Sequence, residues 1–363
     1  MLTNGRTFLT VIIVIIAGII IGGGIFAFFL FNFGTGITQK EVREYKDEYG
    51  IFNPALLTWQ KVTTTVPWAP RDSHAVVVYK NKMWLMGGLN GNGFVIRPGV
   101  VGYGKAPHFS DVWASKDGIN WSLITDKASW GERRSIQVVV FQDKMWLIPG
   151  WGPWTGLQSE VWYSQDGTNW TKTTANWPAR EGHQLVVFKN KLWLIGGVNY
   201  DKRETKNDVW YSDDGLHWSE VVSAAPWSPR WDHEVIVFKD KLWLIGGMDL
   251  KDNVYRDIWV SENGKDWSLV TDSPPWSTRQ GHELVVFQDR IWIIGRFNSP
   301  SEGGGKNDVW FSDDGINWQK TKKDPPWLGR EDHAAVVFQD KIWVLGGMTT
   351  DWTWQNDVWY STF

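Results

Sequence analysis

Residues 207–218 read NDVWYSDDGLHW, and nearly the same phrase, NDVWFSDDGINW, returns at residues 307–318. The chain then ends on a shortened copy, NDVWYSTF, at residues 356–363. Repetition of this kind indicates a repeat architecture, which has to be recognised before any single segment is assigned. In the complete copies an aromatic stretch leads into Asp-Gly, a pair that accepts the positive φ of a tight hairpin, and then into a tryptophan.

A second pattern, Trp-x-x-Arg-x-x-His, shows that the unit occurs six times. The complete copies are Trp68/Arg71/His74, Trp177/Arg180/His183, Trp227/Arg230/His233, Trp276/Arg279/His282 and Trp327/Arg330/His333. The remaining copy, Trp130/Arg133, carries Ile136 in place of the histidine. Each unit of about 50 residues predicts four short strands, and the first of these is a continuous apolar run typical of a strand buried on both faces.

Six such sheets arranged radially would bury those faces, so the sequence predicts an all-β protein over residues 58–363. The expected fold is a six-bladed β-propeller of four-stranded antiparallel blades. The unit resembles a kelch repeat: Arg and His precede the first strand, Gly-Gly follows the second, as in KLWLIGG at residues 191–197, and a Trp begins the fourth. The resemblance implies a galactose oxidase/kelch-like propeller. The hairpin SDDGLHW at residues 212–218 is also similar to the Asp-box of sialidase-like propellers, although Gly follows Asp directly.

The shortened last copy predicts how the ring closes. It lacks the strand that begins with tryptophan, whereas Trp59 near the start of the propeller stands nine residues before Trp68, the same interval as between Trp218 and Trp227. The strand beginning near Trp59 should therefore complete the last blade beside Trp359. Pairing the two ends of the chain in this way also removes exposed sheet edges.

The N-terminus differs from the rest of the chain. Residues 8–33 (FLTVIIVIIAGIIIGGGIFAFFLFNF) carry no charge and exceed the roughly 20 residues that span a bilayer. They predict a transmembrane signal-anchor helix between a short tail, residues 1–7, and a juxtamembrane linker, residues 34–57. A cleaved signal peptide and a pilin-like segment are the alternatives. A single-pass protein with the propeller outside, at the cell surface or in the periplasm, is the expected topology, although basic residues after the anchor favour the reverse.

Composition excludes several classes of function. The chain has no cysteine, so disulfides, thiolate metal sites, a cysteine nucleophile and the Tyr–Cys copper site of galactose oxidase-like enzymes are excluded. Outside the repeats the histidines are His108 and His217, so the sequence predicts neither a metal site nor a cofactor. Net charge is -3 with both signs mixed, which argues against nucleic acid as a partner.

The order of strands divides the loops between two faces. The first-to-second and third-to-fourth turns are nearly identical in every copy and form what we call the hairpin face. The other connections form the variable face, which we expect to carry the function. The linker joins at the hairpin face, so the variable face would be directed away from the membrane.

Candidate ligand-binding residues are those that break the repeat pattern. They are Trp151, Trp154, Trp231, Trp352, Trp354 and Arg296. Four of them come from copies six and two, and copy one between them carries a long loop at residues 89–110, so the irregular copies are consecutive around a closed ring. Clustered tryptophans on a rim suit sugar stacking or a protein-binding hot spot. The alternative is that these rings fold over their loops and pack on the blades.

The six arginines of the repeat form a second candidate set, which we call the repeat arginines. They are Arg71, Arg133, Arg180, Arg230, Arg279 and Arg330. Their position just before the innermost strand would place them around the mouth of the central channel, and the kelch resemblance implies that they meet acidic ligand groups there. Local pairing with the neighbouring acids Asp72, Glu181, Asp232 and Glu331 is the alternative.

Together these observations favour a membrane-anchored recognition module over an enzyme, with no catalytic residue assigned. Its ligand would be a protein, peptide or glycan bound on the variable face. The competing hypothesis is a carbohydrate-active enzyme resembling a sialic-acid epimerase or a glycosidase, which would use Arg and acidic residues at the channel mouth. A carboxylate close to two repeat arginines in a deep pocket would favour the enzyme.

Overall fold

A computed structural model describes residues 53–62, 65–97, 100–295 and 307–362. They form a compact unit that begins at Pro54, within the predicted linker, with a short 3-10 helix at Pro54–Leu56. The predicted tail, the signal-anchor helix and nearly all of the linker lie outside the described residues, as does Arg296. Within the described ranges, no helix is long and apolar enough to cross a membrane.

Six four-stranded antiparallel sheets confirm the predicted blades. Blade 1 contains β2 (Ala75–Tyr79), β3 (Lys82–Met86), β6 (Val112–Ser115) and β7 (Trp121–Thr125). Blade 2 contains β8 (Gln137–Phe141), β9 (Lys144–Ile148), β12 (Glu160–Ser164) and β13 (Thr171–Thr174). Blade 3 contains β14 (Gln184–Phe188), β15 (Lys191–Asn199), β16 (Glu204–Ser212) and β17 (Ser219–Val222).

The remaining blades follow the same order. Blade 4 contains β18 (Glu234–Phe238), β19 (Lys241–Ile245), β20 (Ile258–Ser261) and β21 (Ser268–Thr271). Blade 5 contains β22 (Glu283–Phe287), β23 (Arg290–Ile294), β24 (Val309–Ser312) and β25 (Trp318–Lys320). Blade 6 contains β27 (Ala334–Phe338), β28 (Lys341–Leu345), β30 (Val358–Thr362) and β1 (Thr58–Lys61). Among the described residues, the variable loops contain three short pairs: β4 (Val95–Arg97) with β5 (Val100–Val101), β10 (Trp151–Gly152) with β11 (Gly156–Leu157), and β26 (Arg330–Glu331) with β29 (Met348–Thr349).

The ring closes through the two ends of the chain, as the shortened copy predicts. Strand β1 pairs with β30, so that Thr58 lies opposite Thr362 and Trp59 opposite Ser361. The Trp59 ring meets Trp327 edge to face at 4.9 Å. The first strands of the six blades contact one another in a closed cycle around the channel.

The repeated Asp-Gly hairpin has a role in packing between blades. In blade 3, Gly215 adopts φ 78°, and a Cβ there would lie 2.1 Å from the Trp146 ring of blade 2. The same relation joins Trp84 to Gly167, Trp193 to Gly264, Trp243 to Gly315 and Trp343 to Gly118. The glycine is therefore required twice, by the left-handed turn and by the neighbouring indole. The Asp-Gly hairpin that identifies the repeat therefore also forms a packing contact between adjacent blades.

Candidate functional site

The repeat arginines do not surround the channel mouth. All six are at most 4% exposed, and each lies between strands of its own blade. Arg180 shows the arrangement: its guanidinium donates two hydrogen bonds to the Asp208 carboxylate, at 2.5 and 2.7 Å, and a third to the Gly196 carbonyl oxygen. The equivalent ion pairs are Arg71–Asp111, Arg230–Asp257, Arg279–Asp308 and Arg330–Asp357.

Blade 2 is the variant of this pattern. Arg133 meets Glu160 at 3.7 Å and donates hydrogen bonds to Thr155 and to the Gly156 carbonyl oxygen. The acids that pair with the repeat arginines are thus not their sequence neighbours but the acidic residue that begins the third strand. A guanidinium that is buried and saturated in this way is a structural group, because releasing it would leave the acid uncompensated inside the blade.

The repeat histidines are also structural groups, packed between blades. His233 lies over Gly196 of the preceding blade, where a Cβ would approach its Cε1 to 2.7 Å. Burial, followed by the neighbouring arginine, lowers the pKa of His183 to about 3, so the ring is neutral at physiological pH. In the copy without histidine, Ile136 packs against Gly87 in the same way, which shows that shape rather than charge is needed here.

The channel mouth is lined instead by the two residues that follow each repeat arginine. The first of these positions holds Asp72, Arg134, Glu181, Trp231, Gln280 and Glu331. The second holds Ser73, Ser135, Gly182, Asp232, Gly281 and Asp332, all with φ between 49° and 59°. Their left-handed conformation turns the chain into the channel before the innermost strand starts. The variable chemistry of these two positions therefore decides what the mouth can bind.

A belt of backbone hydrogen bonds fixes these second positions to one another across the blades. Ser135 N donates to the Ser73 oxygen, Ser73 N to the Asp332 oxygen, and Asp332 N to the Gly281 oxygen, at 2.9, 2.9 and 3.0 Å. Gly281 N then donates to the Asp232 oxygen at 3.3 Å, and Asp232 N donates to the Gly182 oxygen at 3.1 Å. The side chains at the mouth are thus held on a rigid rim, which is the arrangement that a preformed binding site requires.

Above this belt, on the variable face, lies a cavity of about 670 Å³, within the size range of ligand sites. We call it the mouth cavity. Its outer wall comes from second-to-third loops of blades 1, 2, 3, 4 and 6. These loops contribute Leu89, Tyr103, Trp151, Leu157, Tyr200, Asp201, Met248, Asp252 and Trp352. Tyr200 meets Trp231 edge to face at 5.6 Å, so one side of the cavity is an aromatic wall.

The structure separates the predicted tryptophans into two groups. Trp151, Trp231 and Trp352 line the mouth cavity. Trp154 is 85% exposed outside it, with its indole N–H donating to Glu132, and Trp354 is only 1% exposed and packs with Leu89 and Met348. For Trp354 the alternative of packing on the blade is therefore the arrangement found.

Arg134 is a residue of the cavity that the repeat pattern does not single out. Its guanidinium donates to both oxygens of Glu181, at 3.1 and 3.0 Å, and its Cζ lies 4.8 Å from the centre of the Tyr103 ring and 5.1 Å from that of Trp151. Burial opposes its charge, but the Glu181 carboxylate raises the pKa of Arg134 overall. A second arginine directly after a repeat arginine, unique to blade 2, is the signal that could have revealed it.

A family model for the KLHDC2/KLHL20/DRC7 Kelch-repeats domain matches residues 135–347, more than half of the chain. Among curated proteins, none matches the chain significantly.

Proposed function

Because the chain belongs to the kelch-repeat family, we propose that it is a protein-binding propeller that takes its ligand in the mouth cavity. The observation that carries this proposal is the cavity itself. It is concave, has aromatic walls, and lies on loops held by a rigid rim. Trp and Tyr are enriched among the few residues that carry most of the binding energy of a protein interface. The competing enzyme would need a carboxylate beside two repeat arginines, and in the described part of the chain each of these arginines is paired inside its blade.

The tryptophans of the cavity provide the test. We expect the full-length chain to select peptides from a displayed peptide library. Changing Trp151, Trp231 and Trp352 together to Ala should weaken that binding at least about 30-fold, since one hot-spot side chain is worth about 2 kcal/mol or more. Affinity would be measured by biolayer interferometry on purified protein.

Trp154→Ala is the matched control, because Trp154 belongs to the same loop as Trp151 but is exposed outside the cavity. It should leave peptide affinity unchanged, and circular dichroism should show both variants folded. Selection of no peptide, together with binding on a glycan array, would overturn the proposal in favour of a sugar ligand. If the triple variant and the wild type bound peptide with equal affinity, the mouth cavity would be excluded as the peptide-binding site.

We further propose that residues 8–33 anchor the chain in a membrane with the propeller on the extracytoplasmic side. Their uncharged length supports this part of the proposal. The full-length chain should stay in the membrane pellet after alkaline carbonate extraction, whereas a chain lacking residues 8–33 should be released. Protease added to intact cells should digest the propeller. Protection of the propeller until the membrane is broken would contradict the orientation.

A further inference from the structure

The charges around the mouth cavity are strongly unequal. The acidic side chains in its lining are Asp72, Glu181, Asp201, Asp232, Asp252, Glu331 and Asp332. Arg134 is the one basic side chain among the lining residues that the structure describes. The lining is therefore acidic, where the kelch resemblance leads one to expect a ring of arginines.

Arg134 does not neutralise this excess. It is bound bidentately by Glu181 and stacked between Tyr103 and Trp151. One side of the cavity is therefore already built as a site for a guanidinium, with a carboxylate and two aromatic faces around it. The chain fills that side with its own arginine and leaves the other acids without a basic partner.

Four carboxyls at the inner end of the cavity make no salt bridge with any described residue. They are Asp72, Asp232, Glu331 and Asp332. Asp72 is 3% exposed, and its Oδ1 has no hydrogen-bond partner within the described ranges. Asp332 accepts a hydrogen bond from Ser73 Oγ at 3.0 Å, and Glu331 one from the Gln280 amide at 3.4 Å. A buried carboxylate with so few donors is costly.

The environment of these groups favours taking up positive charge. Burial raises the pKa of Asp72, and the Asp332 carboxyl raises it further, while Trp354 and Arg134 offset part of the effect. Burial and the same Asp332 carboxyl also raise the pKa of Asp232 and of Glu331. These carboxyls thus bind protons more readily than exposed carboxyls do. A ligand cation would take the place of those protons and satisfy the acids directly.

The aromatic wall indicates which kind of cation fits. Trp231, Tyr200 and Trp352 line the same cavity as the unpaired acids, and aromatic rings attract organic cations. In the ranges that the structure describes, no three His, Asp or Glu side chains are placed to hold a metal ion. Asp72, Asp232, Glu331 and Asp332 line this one cavity, so a side chain with several N–H donors can meet more than one of them.

We propose that the mouth cavity binds a lysine or arginine side chain of the protein ligand, held by Asp72, Asp232 and Asp332 against the Trp231 wall. This inference rests on the proposed function, since it names the part of a protein ligand that the cavity recognises. The cation enters from the variable face and lies opposite the guanidinium of Arg134. An acidic or purely apolar segment would leave the inner carboxyls unsatisfied.

The test compares short probes that differ in charge alone. Acetyl-Gly-Lys-Gly-amide and its arginine analogue should bind the full-length chain in calorimetric titrations. The same peptide with norleucine, which lacks the ammonium group, or with glutamate should not bind. Changing Asp232→Asn and Asp332→Asn together should weaken lysine-peptide binding roughly tenfold or more, because hydrogen bonds to a charged group are lost. Both residues have left-handed φ near 50°, which Asn accepts, so the variant should fold.

Asp240→Asn with Asp289→Asn is the matched control. These acids occupy the first-to-second turns on the hairpin face, where blades 1 and 3 carry Asn81 and Asn190 with similar φ. The control removes the same number of charges and should leave affinity unchanged. Equal binding of the lysine and norleucine peptides, or an unaffected Asp232/Asp332 variant, would overturn the inference. Library peptides that bind through the cavity tryptophans without containing Lys or Arg would overturn it too, while leaving the proposed function intact.

Discussion

Deletion of residues 58–66 is expected to unfold the whole propeller instead of loosening one blade. It removes β1, the fourth strand of blade 6, which pairs with β30 over four residues and supplies the Trp59 contact to Trp327. Without β1, the apolar side of β30 and the neighbouring blade interface would be exposed to water. Since every blade is packed against two others, loss of closure affects all six. Urea unfolding followed by far-UV circular dichroism should show a strongly lowered midpoint or no cooperative transition.

The reverse experiment strengthens the same pairing. Thr58 and Thr362 are opposite each other, with their hydroxyl oxygens 2.8 Å apart, and the chain has no cysteine of its own. Changing both to Cys should therefore form a single disulfide that closes a very long loop. Stabilisation by about 3 to 5 kcal/mol is expected for a well-fitting bridge, and dithiothreitol should abolish it. Unchanged midpoints in both the deleted and the cross-linked chains would contradict closure at this seam.

Much of the fold could be predicted because the same sequence pattern occurs six times in the chain. A single Asp-Gly would indicate one turn, whereas five Asp-Gly or Asn-Gly turns, each followed by a tryptophan, indicate five equivalent hairpins. The half copy at the C-terminus and Trp59 at the front then identify the seam. Gly215 under Trp146 explains in physical terms why the phrase varies so little: the turn and the neighbouring blade both exclude a Cβ.

The repeat arginines show why the site was harder to predict. Asp72 and Glu181 directly follow an arginine in the chain, so pairing with them was a natural hypothesis. The left-handed turn that follows instead sends these acids into the channel, while the arginine side chain lies between the strands. There Arg180 finds Asp208, 28 residues later. Adjacency in sequence gave the wrong partner, because the backbone turns between the two residues.

The tryptophans of the variable loops show a second limit of sequence reasoning. Trp352 and Trp354 are two residues apart, yet the first lines the cavity and the second packs beneath Gly91. In an irregular loop no periodicity tells which ring faces inward. Acidic residues follow four of the six repeat arginines in the sequence, but only the fold shows that these acids line one cavity.

Breaking the buried ion pair of blade 3 should have the second large effect. Asp208→Ala leaves the fully buried Arg180 without its bidentate partner and also removes an acceptor of the Trp210 indole. Loss of one member of such a pair is expected to lower the free energy of unfolding by about 3 to 5 kcal/mol at pH 7. Burial opposes the charge of Asp208, but its bonds to Arg180 lower its pKa overall. This stabilisation is therefore present above the ordinary pKa of an aspartate and is lost as the pH falls through the lowered value.

Glu204→Ala on the same strand β16 provides the control, because Glu204 pairs with Lys206 at the surface, where its side chain is 48% exposed. Exposed pairs contribute about 0 to 1 kcal/mol, so this variant should unfold near the wild-type midpoint in urea. Changing Arg180→Met together with Asp208→Leu should recover part of the loss, since the double variant leaves no uncompensated charge inside the blade. If Asp208→Ala costs no more than Glu204→Ala, the pair does not stabilise the blade, and a ligand-binding role for the repeat arginines would have to be considered again.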